Sequence, residues 1–179
     1  MSIQPLPLIY APNDIFKKKA IPVEVVDDEL RGIVDRMIKT LSSEQAVGIG
    51  ANMVGILKRI AIAQEKHEGA PLILINPEIL WKSKETQTFE EASLCFPGIS
   101  SEITRPRAIK ISYLDYEGTK QETEAEGFLA TIIQHEIDYL DGRVFLDYLS
   151  KLKRDMLMKK MQKHMAMYPP HIHTPHCKH

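Results

Sequence analysis

The chain has 179 residues, 44% hydrophobic and 26% charged, with a formal net charge of −1. That size suits one domain with a sizeable core, and so small a charge excludes the basic field of a general DNA or membrane-surface binder. No apolar run approaches the roughly 20 residues of a membrane span. Two widely separated cysteines, Cys95 and Cys177, make no disulfide framework, and MSIQPLPLIYAPND lacks the charged and apolar regions of a signal peptide. The expected setting is a reducing cytoplasm.

Pro5, Pro7, Pro12 and Pro22 make residues 1–25 extended arms around one short helical turn at 14–19. A helix follows, capped by Asp27 or Asp28, with Leu30, Val34, Met37, Ile38 and Leu41 as its inward stripe. Residues 46–55, AVGIGANMVG, hold three glycines. No Lys-Ser/Thr follows them, so close approach of the backbone to a ligand or another chain segment is the better reading than a phosphate loop. Strand signals arrive at residues 59–63, 72–76 and 86–90, then at Ile103 and 109–114, and Tyr116-Glu117-Gly118 reads as a hairpin turn.

Residues 127–142, GFLATIIQHEIDYLDG, form an apolar helix through Leu129, Ile132, Ile133, Ile137 and Leu140, with Gly142 at the left-handed cap position. His135 and Glu136 fall inside its stripe and Tyr139 lies one turn on. A buried His–Glu pair on a helix suggests the zincin pattern His-Glu-x-x-His, in which two imidazoles hold a metal and the Glu moves protons. Here the second imidazole is a phenol. A last helix covers residues 150–168, capped by Ser150, with Leu152, Met156, Met161 and Met165 inward and a lysine-rich outer face. That basic face is either solvated or a docking surface for an acidic partner such as ribosomal RNA. Pro169-Pro170 ends it, leaving a His- and Pro-rich tail, residues 169–179, that reads as disordered or metal-binding. Strands first and a long helix afterwards give an α+β domain over residues 1–168, antiparallel or mixed sheets packed around the HExxY helix.

EEASLCFPGI (residues 90–99), QHEIDYLDGRVF (residues 134–145) and the glycine segment together resemble the peptide deformylase family, over nearly all of residues 8–165. The family's motifs run Gly-x-Gly-x-Ala-Ala-x-Gln, Glu-Gly-Cys-Leu-Ser and Gln-His-Glu-x-x-His. The resemblance implies metal-dependent hydrolysis of the N-formyl group from the formyl-Met of nascent polypeptides. A divalent iron, zinc or nickel ion is held there by the Cys and both His residues. Mapped onto this chain, His135 is the retained metal ligand, Glu136 the proton carrier, and the Leu94 amide an oxyanion donor. Ser93 replaces the Cys, Tyr139 the second His, and Met53 the oxyanion Gln, while Gly48 keeps its glycine and Ala46 does not. The resemblance also places Val47, Gly48, Glu91, Phe128, Thr131 and Ile132 around the peptide, with Arg105 near its following part.

A serine hydroxyl keeps its proton near neutral pH and a phenol titrates near ~10, and both are oxygen donors where zinc favours nitrogen and sulfur. If a closed site is worth on the order of 10 kcal/mol, losing two of three anchors removes most of it. The expectation is therefore no cofactor at full occupancy, and a deformylase-like protein with hydrolysis lost or reduced. Ser93 and Tyr139 are expected to hydrogen-bond His135 and Glu136 instead. The alternatives are an active hydrolase with a rearranged metal site, or a metal-handling or interaction protein working through its tail or basic helix. Cys95 is one replacement ligand to weigh: on a regular strand it faces the same way as Ser93, roughly 6–7 Å along. His171, His173, His176 and Cys177 of the tail are others.

Overall fold

A computed structural model describes residues 2–170; the tail residues His171, His173, His176 and Cys177 lie outside that range. Asp27 caps α1 (Asp28–Ser43) by accepting from the Leu30 amide at 2.9 Å, and Leu30, Val34, Met37 and Leu41 are buried beneath it. Among the described residues seven strands follow in two sheets. β1 (Gly48–Gly50), β2 (Ile60–Ala63), β3 (Leu72–Lys82), β6 (Ala108–Leu114) and β7 (Lys120–Glu126) form the larger, in the order β1-β2-β3-β6-β7. β4 (Thr86–Ser93) and β5 (Phe96–Pro106) form the smaller, and every strand pairing is antiparallel.

β2 shows why the central helix can sit so close to the sheet. Ile60 and Ile62 face the core beneath α1, while Ala61 and Ala63 face the second core beneath α2 (Gly127–Leu140). On α2, Ala130, Ile133, Ile137 and Leu140 meet those alanines, and the small side chains let the backbones approach. The other side of α2 turns Tyr139 toward the first core, against Phe16 and near Phe145. A helix apolar on both sides must lie between layers, and this one does. The Leu140 carbonyl near its C-terminus finds donors in the N-terminal arm and just ahead of β2, through Ala20 N at 2.8 Å and Arg59 Nη1 at 3.3 Å. Gly142 ends it at φ 77°, and a Cβ there would meet the Lys17 carbonyl at 2.8 Å, so only glycine serves.

Some expected boundaries are too short. The 72–76 signal belongs to an 11-residue strand, and β5 and β7 are strands of which the sequence showed at most an isolated Ile103. β7 reads KQETEAE, with only Ala125 buried, so it lacks the apolar alternation that marks a strand. On α3 (Lys151–Met167), Ser150 caps as expected, but the inward register is corrected. Leu152 and Met156 are 73% and 62% exposed, while Met161 is buried and Leu157, Met158 and Met165 pack beside it. The decisive contact comes from β5: Gly98, at φ 79°, leaves room for the His164 imidazole where a Cβ would stand. A polar residue sets the helix's rotation, and hydropathy alone cannot show that.

Candidate active site

Between β1, the β4–β5 hairpin and α2 lies a cavity of about 1110 Å³. Val47 and Gly48 line one wall, Phe128, Thr131 and Ile132 another, and Glu91, Ser93, Leu94, Met53, His135 and Glu136 the inner end. The structure thus brings together all the expected site residues except Arg105 and Tyr139. Register explains the hairpin's part. Thr86 through Glu91 pair regularly with Pro106 through Ser101, and then the pairing shifts so that Ser93 opposes Phe96. That bulge re-aims Ser93 and leaves residues 94 and 95 as the turn.

Arg105 is corrected from a peptide contact to a clamp behind the wall. It is 3% exposed and donates to Glu91 through Nε at 2.7 Å and Nη2 at 2.9 Å, and through Nη1 to Asp138 at 2.8 Å. Glu91 in turn receives His135 Nδ1 at 2.8 Å. Burial alone would raise the Glu91 carboxyl, but His135 and Arg105 outweigh it and hold the group below its ordinary range. Burial would likewise lower Arg105, and Glu91 and Asp138 hold it above its ordinary value instead. An ionised Glu91 only accepts, so His135 Nδ1 is the donor in that contact and Nε2 is the ring nitrogen left to face the cavity. Asp138 and Tyr148 complete the clamp, with Tyr148 OH to Asp138 at 2.7 Å and Arg105 stacked over the phenol ring. Neither was anticipated. Asp138, three residues past His135 on an apolar helix, carried a readable signal; Tyr148 carried none.

Ser93 and Tyr139 correct the second expectation. They bond neither His135 nor Glu136 but each other, Ser93 Oγ to Tyr139 OH at 2.5 Å. Tyr139 is completely buried, and that burial pushes its hydroxyl well above the ordinary value, so the phenol stays protonated. Cys95 is not on a strand face beside Ser93. It sits in the turn, fully buried, with its thiol toward the Met53 carbonyl, and burial pushes the thiol up, away from thiolate.

A divalent metal does not fit this donor set. His135 Nε2 is one good ligand, while the neighbouring positions hold a neutral alcohol and a neutral phenol already bonded to one another. A phenol oxygen also reaches farther from its Cα than an imidazole Nε2, so the ring fills space an ion would need. Among the described residues no group of three His, Cys, Asp or Glu side chains is placed to hold a metal.

Glu136 is 3% exposed, and Oε2 has no hydrogen-bond partner among the described residues. Oε1 lies against Gly48, where an added Cβ would come within 2.5 Å of it. Burial is the largest influence on this carboxyl and lifts it, His135 and Arg105 pull it down, Glu91 lifts it further, and it is pushed up to about 7. The unfolded chain ionises near 4.5 and the folded one near 7, so between those values unfolding releases a proton and stability falls as pH rises. Above about pH 7 the cost is fully present and approaches about 3 kcal/mol. Glu136→Gln is therefore expected to stabilise the fold by up to about that amount at pH 8 and by little at pH 4.5, in urea unfolding followed by circular dichroism. An equal gain at both pH values would rule out this account of the carboxyl.

Residues 5–155 match the model of the polypeptide deformylase family. The chain belongs to that family. A Rickettsia conorii protein named "Peptide deformylase-like" is 60% identical over 174 residues, covering 96% of this chain and 95% of the relative. "Peptide deformylase 1" of the same organism is 40% identical over 166 residues, covering 88% and 95%. Among solved structures, peptide deformylase from Ehrlichia chaffeensis superposes with TM-score 0.86 at 36% identity, covering 93% of this chain and 98% of that one. These likenesses establish the α+β deformylase fold. The deformylase motifs thus lie on β1, the β4–β5 turn and α2, around one cavity.

Proposed function

We propose that this deformylase-family chain keeps a cleft for peptide N-termini while its hydrolysis of the formyl amide is lost or feeble. The observation that carries this reading is the Ser93–Tyr139 hydrogen bond, which commits two of the three family ligand positions to each other. Met53 adds to it: buried beside the cavity, it offers a thioether where an oxyanion needs a donor.

The cleft itself supports continued peptide binding. β1 is an edge strand, and its residue Gly48 lines the cavity beside the apolar side chains of Val47, Phe128 and Ile132. An extended peptide can add to such an edge while a side chain enters the apolar recess. The nascent formyl-Met terminus or its deformylated remnant is the occupant we propose. Lys151, Lys153, Lys159, Lys160 and Lys163 stand exposed on α3, a basic face suited to ribosomal RNA. Cys95, a free buried thiol, accords with a reducing cytoplasm.

Metal analysis and a formate-release assay on formyl-Met peptides, run on the full chain and on a chain ending at residue 168, test the central claim. Expected are iron, zinc and nickel well below one ion per chain, and no formate above the uncatalysed rate. Turnover in the ordinary enzyme range, about 1 to 10³ per second, would overturn it.

A further inference from the structure

Two buried acceptors border one spot beside the cavity. Asn52, just after β1, is completely buried, and its Nδ2 donates to the Tyr139 carbonyl at 2.7 Å. That bond fixes the amide, since turning it over would set Oδ1 against the carbonyl oxygen. Asn52 Oδ1 is therefore an acceptor, and neither it nor Glu136 Oε2 has a donor among the described residues. Both lie over Gly50. A Cβ on that glycine would stand 3.0 Å from Asn52 Oδ1, 3.6 Å from Glu136 Oε2 and 3.7 Å from Leu140 Cδ2.

Gly48 and Gly50 are two residues apart on β1 and so present the same strand face. The Glu136 carboxylate lies along that face, Oε1 against Gly48 and Oε2 toward Gly50. The family motif has glycine at the first of these positions but alanine at the second, and Asn52 stands at its variable position. The space over Gly50 is thus this chain's own departure from the motif.

An amide oxygen and an ionised carboxylate only accept, so the two cannot satisfy each other. Buried polar groups are ordinarily completed, by protein or by internal water. Water fits this spot. It donates two hydrogen bonds, carries no charge, and is close in size to the methyl group that glycine lacks. A divalent cation would demand more oxygen ligands than two acceptors beside a leucine methyl supply.

We propose that one internal water, held over Gly50, donates to Asn52 Oδ1 and to Glu136 Oε2, making Asn52 the positioning residue that ties the Glu136 carboxylate to β1. The carboxylate that carries a proton in the family motif is held here as part of the seam between β1 and α2. This does not depend on what the cavity binds.

A crystal structure of the full chain tests the water directly. Expected is one ordered oxygen about 2.5–3.0 Å from both Asn52 Oδ1 and Glu136 Oε2. An empty space there would overturn the proposal, and so would direct contact of the two side-chain oxygens, a carboxylic acid donating to the amide. Solution NMR tests the role of Asn52 through slowly exchanging water cross-peaks to the Gly50 Hα protons and through the Glu136 carboxyl carbon resonance. Gly50→Ala puts its methyl in the water's place, and Asn52→Leu removes one of the water's two acceptors. Each is expected to lose the water cross-peaks and to shift the Glu136 resonance, whereas Glu90→Gln, a change in the cavity lining away from Gly50, should do neither. A Glu136 resonance unmoved in folded Gly50→Ala and Asn52→Leu would overturn the positioning role. Cross-peaks that persist in folded Gly50→Ala would place the water elsewhere and overturn the site.

Discussion

A chain carrying Ser93→Cys and Tyr139→His is expected to retain about one zinc or nickel ion per molecule after dialysis, where the parent retains far less. The two substituted side chains already meet, their oxygens 2.5 Å apart, and the Tyr139 ring lies 5.3 Å from that of His135 in the C-terminal half of α2. Cysteine supplies a thiolate near neutral pH once a metal draws its proton away, and histidine supplies a second nitrogen lone pair. Shortening the phenol to an imidazole also clears the volume that the ring fills. The gain should be on the order of 10 kcal/mol of apparent metal affinity. Adding Met53→Gln should then raise formate release by roughly 10²–10³, the scale of one oxyanion donor. Staging the substitutions separates metal capture from turnover. A folded double variant that dialyses free of metal would show that the three positions no longer converge on one point.

How far the sequence disclosed this arrangement can be judged residue by residue. The zincin-like pattern placed His135, Glu136 and Tyr139 correctly on one helix, because helical spacing and an apolar stripe are local properties. The glycine segment disclosed close approach, and Gly48 does sit against a carboxylate from a helix some 90 residues later. What stayed hidden depends on partners distant in the chain. Arg105 looks like a surface charge in sequence, yet Glu91 and Asp138 hold it buried from opposite sides. Cys95 looked like a strand neighbour of Ser93, because nothing local announces that the pairing with β5 shifts after Glu91. The rotation of α3 was misread for a related reason: His164 against Gly98 sets it, where hydropathy gave the inward face to Leu152 and Met156.

Arg105 is expected to matter chiefly as a structural cation, and its replacement should be costly. Arg105→Met would leave Glu91 buried with only His135 beside it and Asp138 with only Tyr148. Removing one member of a buried ion pair typically costs about 3–5 kcal/mol, because the desolvated charge that remains has lost its compensation. Arg105→Lys keeps the charge but cannot make the two-pronged contact to Glu91 together with the bond to Asp138, so a smaller loss is expected. Urea unfolding measures both. Because Arg105 lies behind the cavity wall, peptide affinity per folded molecule should change less in Arg105→Lys than in any change that faces the cleft. A loss below about 1 kcal/mol in Arg105→Met would mean that water reaches Glu91 and screens it, contrary to the buried clamp. A folded Arg105→Lys protein with normal stability and no peptide binding would instead return Arg105 to the peptide itself.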